Sequence, residues 1–197
     1  MRSFVFALSL MALVSVKAQG GYTFEAYETK YTLGTEYQFT SNEGMGGMAK
    51  KRALSPWTSY YLYDNEGRYQ GYGYIQLSLW GLFGAWGAEL PVYDECGKSI
   101  GFIDGQAVTT AAARYTIYNG DGEKIGIAFL DSKKSGFTIV DGKTEQKTIA
   151  YLSRQFIPDA PDYWVVHVND RAAIDERIIK VFAAFAVDKQ TQFRKDT

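Results

Sequence analysis

Ile178-Ile179-Lys180-Val181-Phe182-Ala183-Ala184-Phe185-Ala186-Val187 is the stretch that decides the fold. Lys180 is its only polar residue, so a helix here is apolar around nearly its whole circumference. Such a helix must be buried on all sides. At about 1.5 Å per residue it spans about 15 Å, half the apolar thickness of a bilayer, which excludes a membrane span. The remaining solution is a closed or nearly closed sheet wrapped around it, with Phe182 and Phe185 inside. Asn169-Asp170 can cap the helix, and Asp175-Glu176 supplies the acidic first turn that the helix dipole favours. Lys180 must then reach solvent at the barrel mouth or find a buried partner.

The chain before this helix reads as β. Its 15 Tyr, 12 Phe and 4 Trp suit half-buried pleated surfaces, and Pro is scarce at 4. A unit recurs: Tyr63-Asp64-Asn65-Glu66-Gly67 leads to Gly71, Tyr93-Asp94-Glu95-Cys96-Gly97 to Gly101, and Tyr118-Asn119-Gly120-Asp121-Gly122 to Gly126. Asp or Asn opens a type I turn, and the following Gly takes the left-handed conformation that re-enters a strand as a bulge. Three hairpins are therefore predicted, and Asp141-Gly142 marks a fourth with a longer loop. Calcium is the alternative reading of such acidic turns, but each offers too few oxygens for an ion that takes six to eight. The units are unevenly spaced, which points to a meander of hairpins and away from a solenoid or propeller. Adding Tyr22 to Tyr31, Glu36 to Thr40 and Tyr163 to Asn169 brings the total to roughly ten to twelve strands, read as an antiparallel barrel. The Gly-, Met- and Lys-containing segment from Ser41 to Ser55 reads as a long mobile loop.

The N-terminus has a different character. Arg2 precedes an apolar run from Phe4 to Val16, followed by Val16-Lys17-Ala18, a secretory signal layout with cleavage expected after Ala18. The domain plan is thus a signal peptide over 1–18, N-terminal strands and loop over 19–57, and the barrel core over 58–197, the last two forming one domain. An exported location, secreted or periplasmic, follows. Removing Arg2 and Lys17 leaves 19 basic and 22 acidic residues, a net charge of 19 − 22 = −3. This balance gives no general attraction to nucleic acid, which is excluded as an expected partner. Cys96 is the only cysteine, so no intrachain disulfide forms and the core must supply the stability.

The hairpins Leu90-Pro91-Val92-Tyr93-Asp94-x-x-Gly97-x-x-x-Gly101 and Tyr115-Thr116-Ile117-Tyr118-Asn119-x-x-Gly122-x-x-x-Gly126 carry a family likeness. So does the ending Ile174-Asp175-Glu176-Arg177 followed by Ala183-Ala184-Phe185-Ala186-Val187-Asp188. Over about Tyr60 to Phe193 the chain resembles the LURP-one-related branch of the tubby C-terminal-like superfamily. The resemblance implies a twelve-stranded barrel threaded by a central C-terminal helix. The superfamily includes phosphoinositide-binding tubby domains and phospholipid scramblases. The scramblases' calcium-binding segment is not reproduced in Val168 to Asp175, and no cysteine cluster for acylation is present.

No catalytic set emerges. His167, the only histidine, lies in a strand pattern among Val165, Val166 and Val168, and no Gly-x-Ser-x-Gly elbow accompanies it. One His and one Cys exclude an ordinary zinc site, and no cofactor motif is present. Cys96 is placed in a turn. Two features suit binding: the basic clusters Lys50-Lys51-Arg52 and Lys133-Lys134, able to meet phosphate headgroups, and the stretch Leu79 to Trp86, where Trp80 and Trp86 suit sugars or a membrane interface. The leading expectation is a non-catalytic binding or scaffold domain contacting lipid headgroups or a protein. A lipocalin-like carrier and a secreted hydrolase are the alternatives. A carrier would need an open cup with its helix outside, and a hydrolase would need a cleft with convergent polar groups.

Overall fold

The computed structural model describes residues 20–31, 34–42, 44, 46–52, 57–77, 87–106, 114–131, 133, 135–157 and 162–194. Residues 1–18, read from the sequence as a signal peptide, and Trp80, Trp86 and Lys134 lie outside the described residues. Strands β1 (Tyr22–Tyr31), β2 (Gly34–Thr40), β3 (Gly47–Arg52), β4 (Ser59–Tyr63) and β5 (Tyr69–Tyr74) are followed by the two-residue β6 (Gln76–Leu77). Then come β7 (Gly87–Asp94), β8 (Ser99–Gln106), β9 (Arg114–Asn119), β10 (Lys124–Leu130), β11 (Gly136–Asp141), β12 (Thr148–Gln155) and β13 (Tyr163–Val168), and last the helix α1 (Glu176–Arg194). All strand pairs are antiparallel, β13 returns to β1, and β5 pairs with β7. Twelve strands thus close a ring, with β6 attached only to β7.

The hairpin turns form as their sequences dictate. Gly67, Gly97 and Gly122 have φ of 76°, 80° and 79°, the left-handed region that glycine enters without steric cost. Asp64, Asp94 and Asn119 each accept the backbone N–H two and four residues on through their side-chain oxygen. The pairing register shifts beside each turn, between Leu62 and Tyr63, Val92 and Tyr93, and Lys124 and Gly126, which are the expected bulges.

Closure rests on a short seam, Gly71 opposite Asp94, Tyr72 opposite Tyr93 and Gly73 opposite Val92. A Cβ on Gly71 would stand 2.1 Å from the Tyr93 carbonyl oxygen, and one on Gly73 would stand 2.7 Å from Val181 of the helix. These two glycines let the seam shut and the helix lie against it. Tyrosines stack over the same seam, with Tyr72 and Tyr93 centroids 5.0 Å apart and Tyr61 and Tyr72 6.0 Å apart.

Inside, the helix fills the ring. Ile178, Ile179, Val181, Phe182, Ala183, Ala184, Ala186 and Val187 are buried, and Phe185 is half-buried against Tyr115. Phe182 packs edge-on against Phe137 of β11 at 5.1 Å and Tyr115 of β9 at 5.6 Å. On its other sides the helix meets β1, β2, β3, β4, β5, β7, β8 and β13. Each large side chain so enclosed contributes about 1.5–3 kcal/mol of transfer free energy. The helix continues beyond Val187 to Arg194. Its cap is Asp175, whose carboxylate accepts Arg177 N–H and whose carbonyl accepts Ile178 and Ile179 N–H, while Asp170 caps the preceding turn.

One expectation is corrected. Ser41 to Ser55 is not a single long loop, because Gly47–Arg52 is β3, paired to β2 and β4. Its buried inward positions are Gly47 and Ala49, both small, with the Tyr63 carbonyl oxygen 2.3 Å from where a Gly47 Cβ would stand, and Lys50 and Arg52 face outward. No hydropathy alternation marks a strand built this way.

Candidate functional site

Three segments meet where α1 enters the barrel: the β2–β3 connection, the β4–β5 turn, and the stretch from β13 into the helix. Between them lies a cleft of about 590 Å³ lined by Gly44, Gly46, Leu62, Asp64, Arg68, Gln70 and residues 171 and 174–177, with Lys180 behind. Leu62 and Ile174 form its apolar floor.

Asp64, fixed by its turn, accepts Arg68 Nε at 2.7 Å and Gln70 Nε2 at 3.1 Å through Oδ2. The Arg68 hydrogen bond holds its carboxyl below the usual range. Arg68 also reaches Glu66 at 3.0 Å. On the helix side, Arg177 forks onto Asp175 at 3.1 and 3.0 Å and reaches Glu95 of the β7–β8 turn at 3.2 Å. Burial pushes the Asp175 carboxyl up, but the Arg177 side-chain and backbone bonds outweigh it and leave the group lowered. Lys180, 8 % exposed, donates to the Gly46 carbonyl at 2.9 Å and to Glu176 at 2.6 Å. It therefore takes both courses open to it, a place near the mouth and a full set of partners.

Beside this wall the Arg171 guanidinium lies 5.0 Å from the Tyr22 ring centroid. Tyr22 is 4 % exposed, and its enclosed hydroxyl has no hydrogen-bond partner among the described residues. Burial first, and then the Glu176 carboxylate, push that hydroxyl well above the ordinary tyrosine range. A buried donor left unpaired costs about 1–3 kcal/mol, so this one is an exception in a well-satisfied barrel.

The far end of the helix is sealed. Asp188 accepts Lys51 Nζ at 2.6 Å, Tyr37 Oη at 2.7 Å and Tyr60 Oη at 2.9 Å. Arg154 of β12 grips Asp162 at 2.9 and 2.6 Å and donates to the Gln190 carbonyl at 3.0 Å, while Trp164 Nε1 donates to the Gln190 side chain at 3.2 Å.

The basic residues singled out by sequence do not converge. Lys51 is engaged by Asp188, Lys50 pairs with Glu36 at 3.1 Å, and Arg52 lies over the Tyr61 ring at 4.7 Å on the outer face. They lie on β3, not in a loop, and alternation along the strand divides them between its faces. Lys133 is exposed in the β10–β11 turn. His167 Nδ1 bonds Thr23 Oγ1 at 2.7 Å, and its ring stacks on Tyr151 at 4.5 Å. Cys96 is exposed in its turn. Among the described residues no group of three or more His, Cys, Asp or Glu is placed to hold a metal ion, and no helix is long and apolar enough to cross a membrane.

Sequence reasoning missed Tyr22, Arg171 and Glu176 as a group. The available signal was Arg171 together with the charged run Asp175-Glu176-Arg177, packed between a strand and an apolar helix. Tyr22 is separated from them by most of the chain and joins them only because β1 pairs with β13. Compared with family models and with curated proteins, the sequence has no significant match in either.

Proposed function

We propose that this chain is an exported, non-catalytic binding domain of the tubby-like barrel type, taking a lipid headgroup or a protein partner on its outer surface. The observation that carries the reading is the occupied lumen: Ile179, Val181, Phe182 and Val187 fill the ring, and the large cleft lies outside it where the helix enters. A lipocalin-like carrier needs an open cup where this barrel holds its helix. Hydrolysis needs a nucleophile and base that open onto the substrate cleft, and His167, bonded to Thr23 Oγ1 and stacked on Tyr151, is not among the residues lining this cleft.

Lipid, glycan and protein arrays probed with the full chain and with Arg171→Gln test this proposal. The expected result is a ligand class whose signal falls by about tenfold in the variant, about 1.4 kcal/mol of binding free energy. Signals indifferent to every cleft substitution would remove the cleft from the proposal. Export is tested separately by sequencing the N-terminus of protein from the native host, where the expected first residue is Gln19.

A further inference from the structure

We propose that the outer tyrosine face of β4, β5 and β7 binds a neutral polysaccharide, its sugar residues laid across the strands. This goes beyond the binding-domain reading above, since the face differs from the cleft and the ligand class from a headgroup or protein.

Strand alternation builds the face. Tyr60, Leu62, Gly71, Gly73 and Val92 are buried, which turns Tyr61, Tyr72, Tyr74 and Tyr93 outward, each half-buried. Pairing sets Tyr61 opposite Tyr72 and Tyr72 opposite Tyr93, one ring per strand. Their centroids lie 6.0 and 5.0 Å apart, and Tyr74 stacks on Tyr93 at 6.1 Å with an interplanar angle of 5°. Two residues along β4, Tyr63 faces Tyr69 in a second rank, their centroids 5.8 Å apart. Tyrosine gives such a face large contact area at low cost in conformational entropy.

The hydroxyls are what the fold leaves unused. Cross-strand aromatic pairs stabilise a sheet by about 0.2–1 kcal/mol each, and phenylalanine rings would stack as well. The hydroxyls of Tyr61, Tyr63, Tyr69 and Tyr72 make no hydrogen bond among the described residues. None of them is an enclosed unpartnered group, so all four open to solvent. Burial, then the hydrogen bond with Tyr74, push the Tyr93 hydroxyl up, so it stays protonated and uncharged at neutral pH.

A phenol hydroxyl donates and accepts at once, and so does a sugar hydroxyl, whereas a carboxylate or phosphate oxygen only accepts. The rings between the hydroxyls meet the C–H groups that alternate with hydroxyls on a sugar. A linear chain of six-membered sugar rings repeats at close to the strand spacing of about 4.8 Å, so successive residues reach successive tyrosines. Charge completes the match. Lys50 is paired with Glu36, Lys51 with Asp188 and Arg68 with Asp64. Of the cations on β3 and the β4–β5 turn, Arg52 alone lacks an ion pair among the described residues, and it lies over the Tyr61 ring. One such cation does not complement a chain charged at every residue, while a neutral chain suits an uncharged face.

Isothermal titration calorimetry of the full chain with cellohexaose and laminarin, and pelleting with insoluble chitin, test the inference, with alginate as the anionic counterpart. At least one neutral glycan is expected to bind, with an affinity that high salt leaves unchanged. Tyr72→Phe keeps the stacked ring and removes only a hydroxyl, so the melting temperature should hold while binding weakens several-fold. Tyr61→Ser, off the closing seam, removes ring and hydroxyl together and should weaken binding about tenfold, about 1.4 kcal/mol. Tyr151→Phe, on β12 across the barrel, should leave binding unchanged. Alginate bound as tightly as the neutral glycans, affinity untouched by Tyr72→Phe and Tyr61→Ser, or no binding of any neutral glycan would each overturn the assignment. A protein or lipid vesicle lost with Tyr72→Phe, in place of any glycan, would overturn it too. Arg171→Gln keeps the two proposals apart: glycan binding should survive it, and a cleft ligand should not. Glycan binding lost in Arg171→Gln would move the ligand to the cleft and remove it from the tyrosine face.

Discussion

Beside the C-terminal part of α1 the Arg154–Asp162 pair is dry, its side chains 1 % and 2 % exposed, whereas at the N-terminal end Arg68 and Glu66 are 68 % and 70 % exposed. Both ends must satisfy helix-end groups and seat charges, yet they do so with opposite economies. At the dry end, polar groups on β12 and β13 and in the segment joining them clamp Gln190, and a carboxylate collects two tyrosines and a lysine from β2, β3 and β4. Each of these groups has a partner, so movement would strand the enclosed Arg154 and Asp162 charges unpaired in low dielectric. At the wet end, ion pairs between turns surround an open cleft, where water screens any pair that opens. One end fixes the helix; the other leaves room for a ligand.

The largest effects should come from breaking the dry end and the packing above it. Asp162→Ala strands a buried guanidinium and should cost about 3–5 kcal/mol in denaturant unfolding. Phe182→Ala should cost a similar amount through lost transfer energy and the cavity left among Phe137, Tyr115 and the helix. Losses below about 1 kcal/mol at both positions would mean that this end is neither dry nor tightly packed.

Asp188→Asn should cost less, about 1.5–3 kcal/mol, by weakening charge-assisted hydrogen bonds from Lys51, Tyr37 and Tyr60. It also sharpens the comparison through pH. Burial raises the Asp188 carboxyl, but the hydrogen bonds from Lys51 and Tyr37 outweigh burial and lower it overall. A lowered folded pKa means its contribution is present above the unfolded value, about 3.9, and is lost as pH falls through the folded one. Burial and then Asp188 push Tyr37 and Tyr60 upward, so their contribution is present below the unfolded value, about 10, and is lost as pH rises through the folded one. Stability measured against pH should therefore fall off at both extremes, and Asp188→Asn should flatten the acid limb. An unchanged acid limb would show that Asp188 is not the group responsible.

The smallest effect belongs to the wet end. Glu95 is 54 % exposed and meets Arg177 at 3.2 Å, so Glu95→Gln should change stability by less than about 1 kcal/mol, and less again in high salt. A larger loss would make the two ends alike and undo the comparison.

Sequence made the helix and the hairpins legible because each is encoded locally: ten residues with one polar member, and turns whose Asp or Asn and Gly occupy fixed offsets. β3 was hidden because its buried positions are Gly47 and Ala49, small by necessity and silent in hydropathy. The closing seam was hidden for a related reason, since Gly71 and Gly73 work by lacking a side chain. The buried Arg154–Asp162 pair looks in sequence like two ordinary surface charges, and only the fold shows them enclosed together beside Gln190. The cleft was legible only as a charged run, and Tyr22 comes beside Arg171 only through pairing of the first strand with the last.

The position of α1 behind all thirteen strands has a consequence for synthesis. The segment that fills the barrel is translated after every strand that surrounds it, and Tyr22 must wait for Val168 before its own pairing forms. Until then the nascent chain has strands with no filler and an open first edge, a high-contact-order intermediate that is slow to fold and prone to aggregate. Synthesis therefore favours a chain kept unfolded until the helix has emerged, the same condition that passage through a secretion channel imposes.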